Sequence, residues 1–512
     1  MAVAHTLPSA GQPSFIPDYH QRQQQMEEFG YIYKKNPAML PLSGTGLYSW
    51  IGATGIYGNG DLHHPQASDK ILEGRFLTES FLRFEDTGWT LHGQFEYVNG
   101  KETDGGSNLS YKMKDHGTPS FYFCRKPADR WGIREYGLSA TAAKDFGPRW
   151  TVGLLTDYRG LQHFRSNDVR NDQTSLNLDL VLSASFHATP ASWFSLGAAY
   201  SRNKEQPSFS NLYSSGPEYA IYLMNGLGTY IKNVSYDMSW NEHIPGVQAQ
   251  WECRKEKWQS SLSYDFSYGK NYWKSMISQE EEAENRWTGY HFMEHDVRLM
   301  EKFFSGASEW TLLASYERTS GSGKNYENAS KTYTRNYIYI GNEAQLILSW
   351  RGKLPVLRRL KAAFTFQDDQ RQDKSYAYTM MNSNLTAHLL AGMDWKAGKA
   401  TMSTTLEGSY LFPIRTLHNP GAADTGKNPY CEYIAKPLAA WQHIQTANAG
   451  LTLQADLPVR KNTIEAGISA DAMFCTGGPA EYIGHNNLSA NLFFNVYFSG
   501  SLYSIYRTLI QR

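Results

Sequence analysis

His291-Phe292-Met293-Glu294-His295 has the H-x-x-E-H order of a zinc hydrolase. That chemistry needs both histidines one turn apart on a single helical face. The residues that follow, Asp296 to Phe304, alternate as a strand does, and in a strand residues four apart are separated by roughly 13 Å. Two such histidines cannot ligate one ion, so the pentapeptide is read as the beginning of a strand. Adjacent His63 and His64 sit in the first long loop, where a metal could bind opportunistically. Gly321-Ser322-Gly323-Lys324 lacks the full spacing of a phosphate-binding loop and is read as a turn in a polar loop. Cys124, Cys253, Cys431 and Cys475 are widely separated and match no metal-ligand spacing. Cys431 and Cys475 are either bridged between neighbouring loops or isolated thiols like the other two. There is no nucleophile elbow, and no carboxylate pair whose proximity the sequence establishes. The expectation is a protein without catalysis, cofactor or metal.

The elements that carry these residues have a texture of their own. From Trp258 to Lys270, Trp258, Ser260, Leu262, Tyr264, Phe266 and Tyr268 alternate with Gln259, Ser261, Ser263, Asp265, Ser267 and Gly269. One face is apolar and aromatic, the other polar. The pattern recurs along the chain in segments too long for an ordinary soluble sheet, which is the signature of a transmembrane β-barrel. Charged residues make up 19% of the 512, aromatics 14%, and there are 43 glycines. Mean hydropathy is −0.53, and the longest charge-free apolar stretches, such as Ala220 to Ile231, fall short of the ~18 to 20 residues of a membrane helix. A helical membrane protein is excluded, whereas a barrel wall faces lipid on one side only and keeps half of each strand polar. Formal net charge is zero and no long basic run appears, so no nucleic-acid partner is expected.

Strands are expected near 47–57, 74–85, 89–98, 132–143, 150–159, 176–187, 193–201, 246–253, 258–269, 291–304, 310–318, 338–350, 359–367, 384–395, 400–410, 446–456, 463–474 and 488–498. That is an all-β, antiparallel up-and-down barrel of about eighteen strands, between 16 and 20. Its connections alternate. Short ones (86–88, 145–149, 189–190, 254–257, 306–308, 396–399, 458–461) are interleaved with long ones (99–130, 160–175, 202–244, 270–290, 319–337, 368–383, 411–445, 475–487). Short periplasmic turns and long extracellular loops are the habit of outer-membrane barrels. Before the barrel (46–498), residues 5–45 form a segment that is periplasmic or caps the lumen. Met1-Ala2-Val3-Ala4 reads as the remnant of a signal peptide, and 499–512 as a tail or an extra strand.

Turning the polar register inward gives about fourteen lumen acids: Glu79, Glu96, Glu135, Asp157, Asp179, Glu252, Asp265, Asp296, Glu317, Glu343, Asp394, Glu407, Glu465 and Asp471. Fewer bases face them, among them Arg75, Arg83, Arg159, Arg298, Lys302 and Lys361. An acid-weighted lumen favours cations; alternatively the acids pair with one another or with a plug. The long loops hold Tyr272, Trp273, Tyr326, Tyr376 and Tyr378, a candidate binding surface for a glycan or protein, or else packing over the barrel mouth. The short turns are basic, with Arg254, Lys255, Arg358, Lys396 and Lys399 among them, and would meet anionic headgroups.

From about 46 to 498 these features resemble the large uncharacterised outer-membrane β-barrel proteins of Bacteroidota. Asn36-Pro37-Ala38 is similar to the element that precedes the first strand in fatty-acid-transporter-like barrels. The resemblance implies residence in the outer-membrane bilayer of a Gram-negative cell and supplies no catalytic residues. It also implies that some such barrels are accessories of larger assemblies, for instance of a TonB-dependent transporter. Two functions are expected as rivals: solute uptake or passage through a loop-gated, acid-weighted lumen, or a non-catalytic scaffold that docks on an outer-membrane transporter or surface complex.

Overall fold

In the computed structural model the described residues are 19–43, 48–84, 86–110, 116–119, 121–210, 216–224, 226–228, 230–232, 238–275, 289–327, 332–352, 354, 356–423, 428–459 and 462–498. The expected signal remnant and the tail after 498 lie outside them.

Alternation of apolar and polar residues produces eighteen long strands among the described residues: β1 Tyr48–Gly60, β2 Lys70–Phe84, β3 Trp89–Gly105, β4 Ala128–Phe146, β5 Trp150–Arg165, β6 Arg170–Thr189, β7 Ser192–Ser210, β8 Met238–Lys255, β9 Trp258–Ser275, β10 Gly289–Ser305, β11 Ser308–Glu327, β12 Thr332–Arg351, β13 Leu357–Asp373, β14 Tyr378–Ala397, β15 Ala400–Asn419, β16 Gln445–Val459, β17 Asn462–Gly477 and β18 Asn486–Phe498. Each pairs antiparallel with its chain neighbours, and β1 pairs with β18 over twelve positions, Ser49 opposite Phe498 through Gly60 opposite Asn487. The sheet therefore closes on itself and leaves no edge.

Outward positions carry large exposed apolar side chains such as Leu154, Leu196, Leu389 and Leu492. Near the short turns this face ends in a belt of exposed Trp and Phe: Trp89, Phe146, Trp150, Phe194, Phe303, Trp310 and Trp395. Such a girdle marks a membrane interface. The turns beneath it are tight; Gly306 and Gly398 have φ of 58° and 62°, in the left-handed region that a side chain disfavours.

Strands run further than expected on the opposite rim. The expected loops 160–175 and 368–383 shrink to the four residues 166–169 and 374–377, because β5 and β6 pair out to Arg165 and Asn171, and β13 and β14 to Asp373 and Tyr378. Above an apolar band both faces of a hairpin meet polar surroundings, so the alternation fades while the ladder continues. For the same reason Gly321–Lys324 is not a turn. It lies within β11, where the register shifts at Gly323/Lys324.

Long loops after β3, β7 and β15 fold back over this rim. Tyr122–Cys124, Ile221–Met224 and Tyr230–Lys232 form a small antiparallel sheet. Phe123, Tyr222, Met224 and Leu227 from it pack with Tyr290, Tyr337, Tyr378, Tyr430 and Ile434 into one apolar cluster. A second cluster joins Tyr122, Leu223, Trp131, Phe209, Trp240 and Trp273. All four cysteines are buried free thiols, which corrects the bridged alternative for Cys431 and Cys475.

Candidate functional site

The lumen of an eighteen-stranded barrel is too wide for wall side chains alone to fill, and here the N-terminal segment crosses it at the short-turn rim. Helix α1, Tyr19–Glu28, is built of good helix formers. A wide π-helical turn Phe29–Tyr33 follows, and a 3-10 turn Pro37–Leu42 begins on proline, which loses no hydrogen bond at a first helical position.

The contacts of α1 are polar. Arg22 bonds to Asp456 at 3.0 Å and to Glu465, with its guanidinium 4.4 Å from the Tyr497 ring centre. His20 lies 3.1 Å from Asp394, Glu27 meets Arg359 and Lys361, and Glu28 accepts from Lys302 at 2.8 Å. Gln24 donates to Glu309 and Thr311. The next part is mixed. Phe29, Ile32, Tyr33, Met39 and Leu40 are buried against Phe81, Ala143, Met300, Leu313, Ile347 and Ala363 of the wall, Asn36 donates to Gln250 and accepts from Ser183 and Ser195, and Lys35 lies 2.8 Å from Asp296. The Tyr33 hydroxyl donates to Glu252 at 3.0 Å. Burial, reinforced by that carboxylate, holds the Tyr33 phenol well above its ordinary range, and burial pushes Tyr31 up to about 12. Both stay neutral at any physiological pH, Tyr33 as a donor to Glu252.

The wall is shaped for this segment. A Cβ on Gly153 would run into the Pro37 and Ala38 backbone, and one on Gly392 into the His20 ring. Two glycines at inward positions are thus seats for the segment, a role no local pattern signals.

Nine of the fourteen acids expected in the lumen, Glu96, Asp157, Asp179, Asp265, Glu343, Asp394, Glu407, Glu465 and Asp471, occupy the parity opposite to the exposed apolar face. Asp394 and Glu465 are counter-charges for His20 and Arg22. Asp265 sits beside Asp296 in a row that continues through Glu317 to Glu343, four acids directly opposite one another on adjacent strands β9 to β12. Like charges so placed repel; Lys35 and Arg298 offset the Asp296 end, and Glu343 accepts from Gln367 at 2.9 Å. Glu96, Asp157 and Asp179 share another part of the wall, with Arg75 3.9 Å from Glu96, Arg159 3.6 Å from Asp157, and Asp179 opposite Asp157. Glu407 and Asp471 line a chamber of about 500 Å³ together with His388, Ser409, Asn448 and Ser489; His388 Nε2 is 3.2 Å from Glu407. His20, Arg22, Glu27, Glu28 and Lys35 belong to the segment expected to be periplasmic or to cap the lumen, and none is among the expected lumen charges. Their only advance signal is that a Gln-rich polar helix has no apolar face to bury elsewhere.

The loop aromatics do not form an open surface. Trp273 is 1% and Tyr378 0% exposed, inside the two clusters over the mouth. Tyr376 is half-buried against the first of these, and Tyr272 half-buried in β9. The reason is again strand extension: Trp273 has the inward parity of β9. The side chain of Tyr326 lies outside the described residues.

The H-x-x-E-H residues separate by parity. His291 and His295 point outward and meet the hydroxyls of Tyr268 and Tyr264 at 2.8 and 2.9 Å. Glu294 points inward, 3.1 Å from Nδ1 of buried His116 at the tip of the loop after β3. That ring stacks on Phe292 with centroids 4.3 Å apart, and the His116 and Gly117 carbonyls accept from Tyr290 and Tyr337 at 2.7 and 3.0 Å. His63 pairs with Asp69 at 2.6 Å, and no group of three potential metal ligands occurs among the described residues.

Over residues 37–498 the chain matches a family of unknown function, DUF6850, and it belongs to that family. No curated protein matches it. Solved structures that it resembles include the ferric preacinetobactin receptor of Acinetobacter baumannii (10% identity, 87% of this chain and 80% of that one, TM-score 0.45), an outer-membrane transporter of Escherichia coli (8%, 88% and 80%, 0.40) and an iron transporter of Neisseria meningitidis (10%, 90% and 83%, 0.39). These are likenesses of barrel architecture alone. None bears on the Bacteroidota resemblance or on the fatty-acid-transporter likeness of Asn36-Pro37-Ala38.

Proposed function

We propose that this chain is an outer-membrane barrel through which a small solute passes, with a lumen that favours cations and is held closed at rest. The apolar outward face with its aromatic girdle supports a bilayer as the partner of the wall, and the short turns are then periplasmic and the long loops extracellular. The observation that carries the reading is a chamber on the inner face of the wall, where Glu407, Asp471, His388 and amide and hydroxyl side chains stand beside Ile56, Ile71 and Met473. A wall built only to be a scaffold has no need of about 500 Å³ of space edged by Glu407, Asp471 and His388. Carboxylates lining a water-filled passage with low-dielectric walls lower the energy of cations relative to anions, and salt screens the preference.

The rival reading, a scaffold that docks on a transporter such as a TonB-dependent one, draws support from the closure at both rims. Planar-bilayer recordings separate the two. Under a salt gradient the reversal potential should have the sign of cation preference, and Glu407→Gln with Asp471→Asn should move it toward zero. Conduction with anion preference refutes the acidic lumen, and silence of both the wild type and a variant lacking residues 19–28 favours the scaffold.

A further inference from the structure

We infer that the N-terminal segment is a gate in two parts, in which α1 is a polar shutter that leaves and returns while residues 29–42 stay as its anchor. The inference rests on the passage reading and names what regulates it.

The two parts are held by different physics. The wall contacts of α1 are dominated by ion pairs and hydrogen bonds from His20, Arg22, Gln24, Glu27 and Glu28, with the Arg22 guanidinium also over the Tyr497 ring, and Met26 is 40% exposed. A polar helix that leaves a polar wall exchanges protein partners for water on both sides, and rehydration of the parted charges returns the desolvation cost that offsets much of a buried pair's attraction. Once detached, a ten-residue helix is marginal in water and unwinds, so release has an entropic gain. The anchor has no such exchange available. Phe29, Ile32, Met39 and Leu40 would expose apolar surface, and the Pro37–Ala38 backbone is seated where Gly153 leaves room. The junction is the wide turn Phe29–Tyr33, which contains the exposed Gly30 with open space around it.

Closure is therefore electrostatic. It draws on acids on β14, β16 and β17 at one end of α1 and on bases on β10 and β13 at the other. A cationic solute arriving from the chamber meets the same carboxylates that hold His20 and Arg22, so it competes with the shutter for them.

The test uses the full chain in planar bilayers. A Cβ on Gly392 would meet the His20 ring, which brings the pair His20→Cys with Gly392→Cys within reach of a disulfide. Oxidised, this variant should stay shut. Reduced, it should open at least about ten-fold more often. Ala38→Cys with Ser183→Cys, which tethers the anchor instead, should gate alike whether oxidised or reduced. A variant lacking residues 19–28 supplies the open reference. Equal currents from the oxidised and reduced shutter tether, beside a conducting deletion variant, would overturn the gate and leave passage standing. A silent deletion variant that still shows the heat-shifted mobility of a folded barrel would instead overturn passage itself.

Discussion

His291, Glu294 and His295 show how far residue types alone can carry a functional reading. Their order invites a zinc site, but period-two geometry sends the histidines to one face and the glutamate to the other, and Glu294 ends as the partner of His116. What was legible at this scale was facing, since acids spaced two or four apart share a side of a strand. What was not legible was the partner each acid takes from a distant element, as Asp394 and Glu465 take His20 and Arg22 from over 370 residues away. Glycines were the least legible, because their role depends on what approaches them. Gly153→Ala should strain the Pro37–Ala38 contact and destabilise the barrel by about 1–3 kcal/mol, as overpacked sites do. Gly55→Ala, with nothing within 4 Å of its new methyl, should stay within about 0.5 kcal/mol of wild type. Equal effects in thermal or urea unfolding would mean the seat is not used. Facing is tested by neighbours on β14: Leu389→Arg enters the lipid face and should cost roughly 2–4 kcal/mol, while His388→Arg, beside Glu407, should be tolerated. The opposite order would require a register shift of one.

Among elements, strand number was legible and strand length was not. Apolar alternation stops where a strand leaves the apolar band, yet β13 pairs with β14 out to Asp373 opposite Tyr378, through the polar run Gln367 to Arg371. Of the two fates open to the loop aromatics, a binding surface or packing over the mouth, Trp273 and Tyr378 take the second for the same reason, Trp273 lying inside an extended strand and Tyr378 at the start of another. The folded-back loops were not legible at all, because Phe121, Tyr122 and Phe123 have no periodic context that tells a buried loop from an exposed one. Besides the two apolar clusters, the loop after β3 is held through His116. His116→Ala should free the loop between β3 and β4, leaving Glu294 without this partner, and hydrogen exchange should rise across 106–110 and 116–127 with the strands unchanged. Unaltered protection there would show that the stacked ring and its carboxylate do not hold the loop.

For the whole molecule, closure follows from β1 pairing with β18, and the alternation of short and long connections foretold the two unlike rims. The occupied lumen is not decided by sequence, in which residues 5–45 are either periplasmic or lumen-capping, because a polar helix declares no destination. Extracted in detergent, the protein should be β-rich by circular dichroism and should run differently on gels before and after heating. The central claim, a wall that spans the outer membrane with its long loops outside, is tested most directly by labelling single cysteines with an impermeant maleimide on intact cells. Glu218→Cys lies exposed among the long loops and Lys399→Cys on a two-residue turn at the other rim, while the four native thiols are buried. The account expects Glu218→Cys to label on intact cells and Lys399→Cys to label only after the outer membrane is permeabilised; the reverse pattern, or labelling of both before permeabilisation, would contradict it.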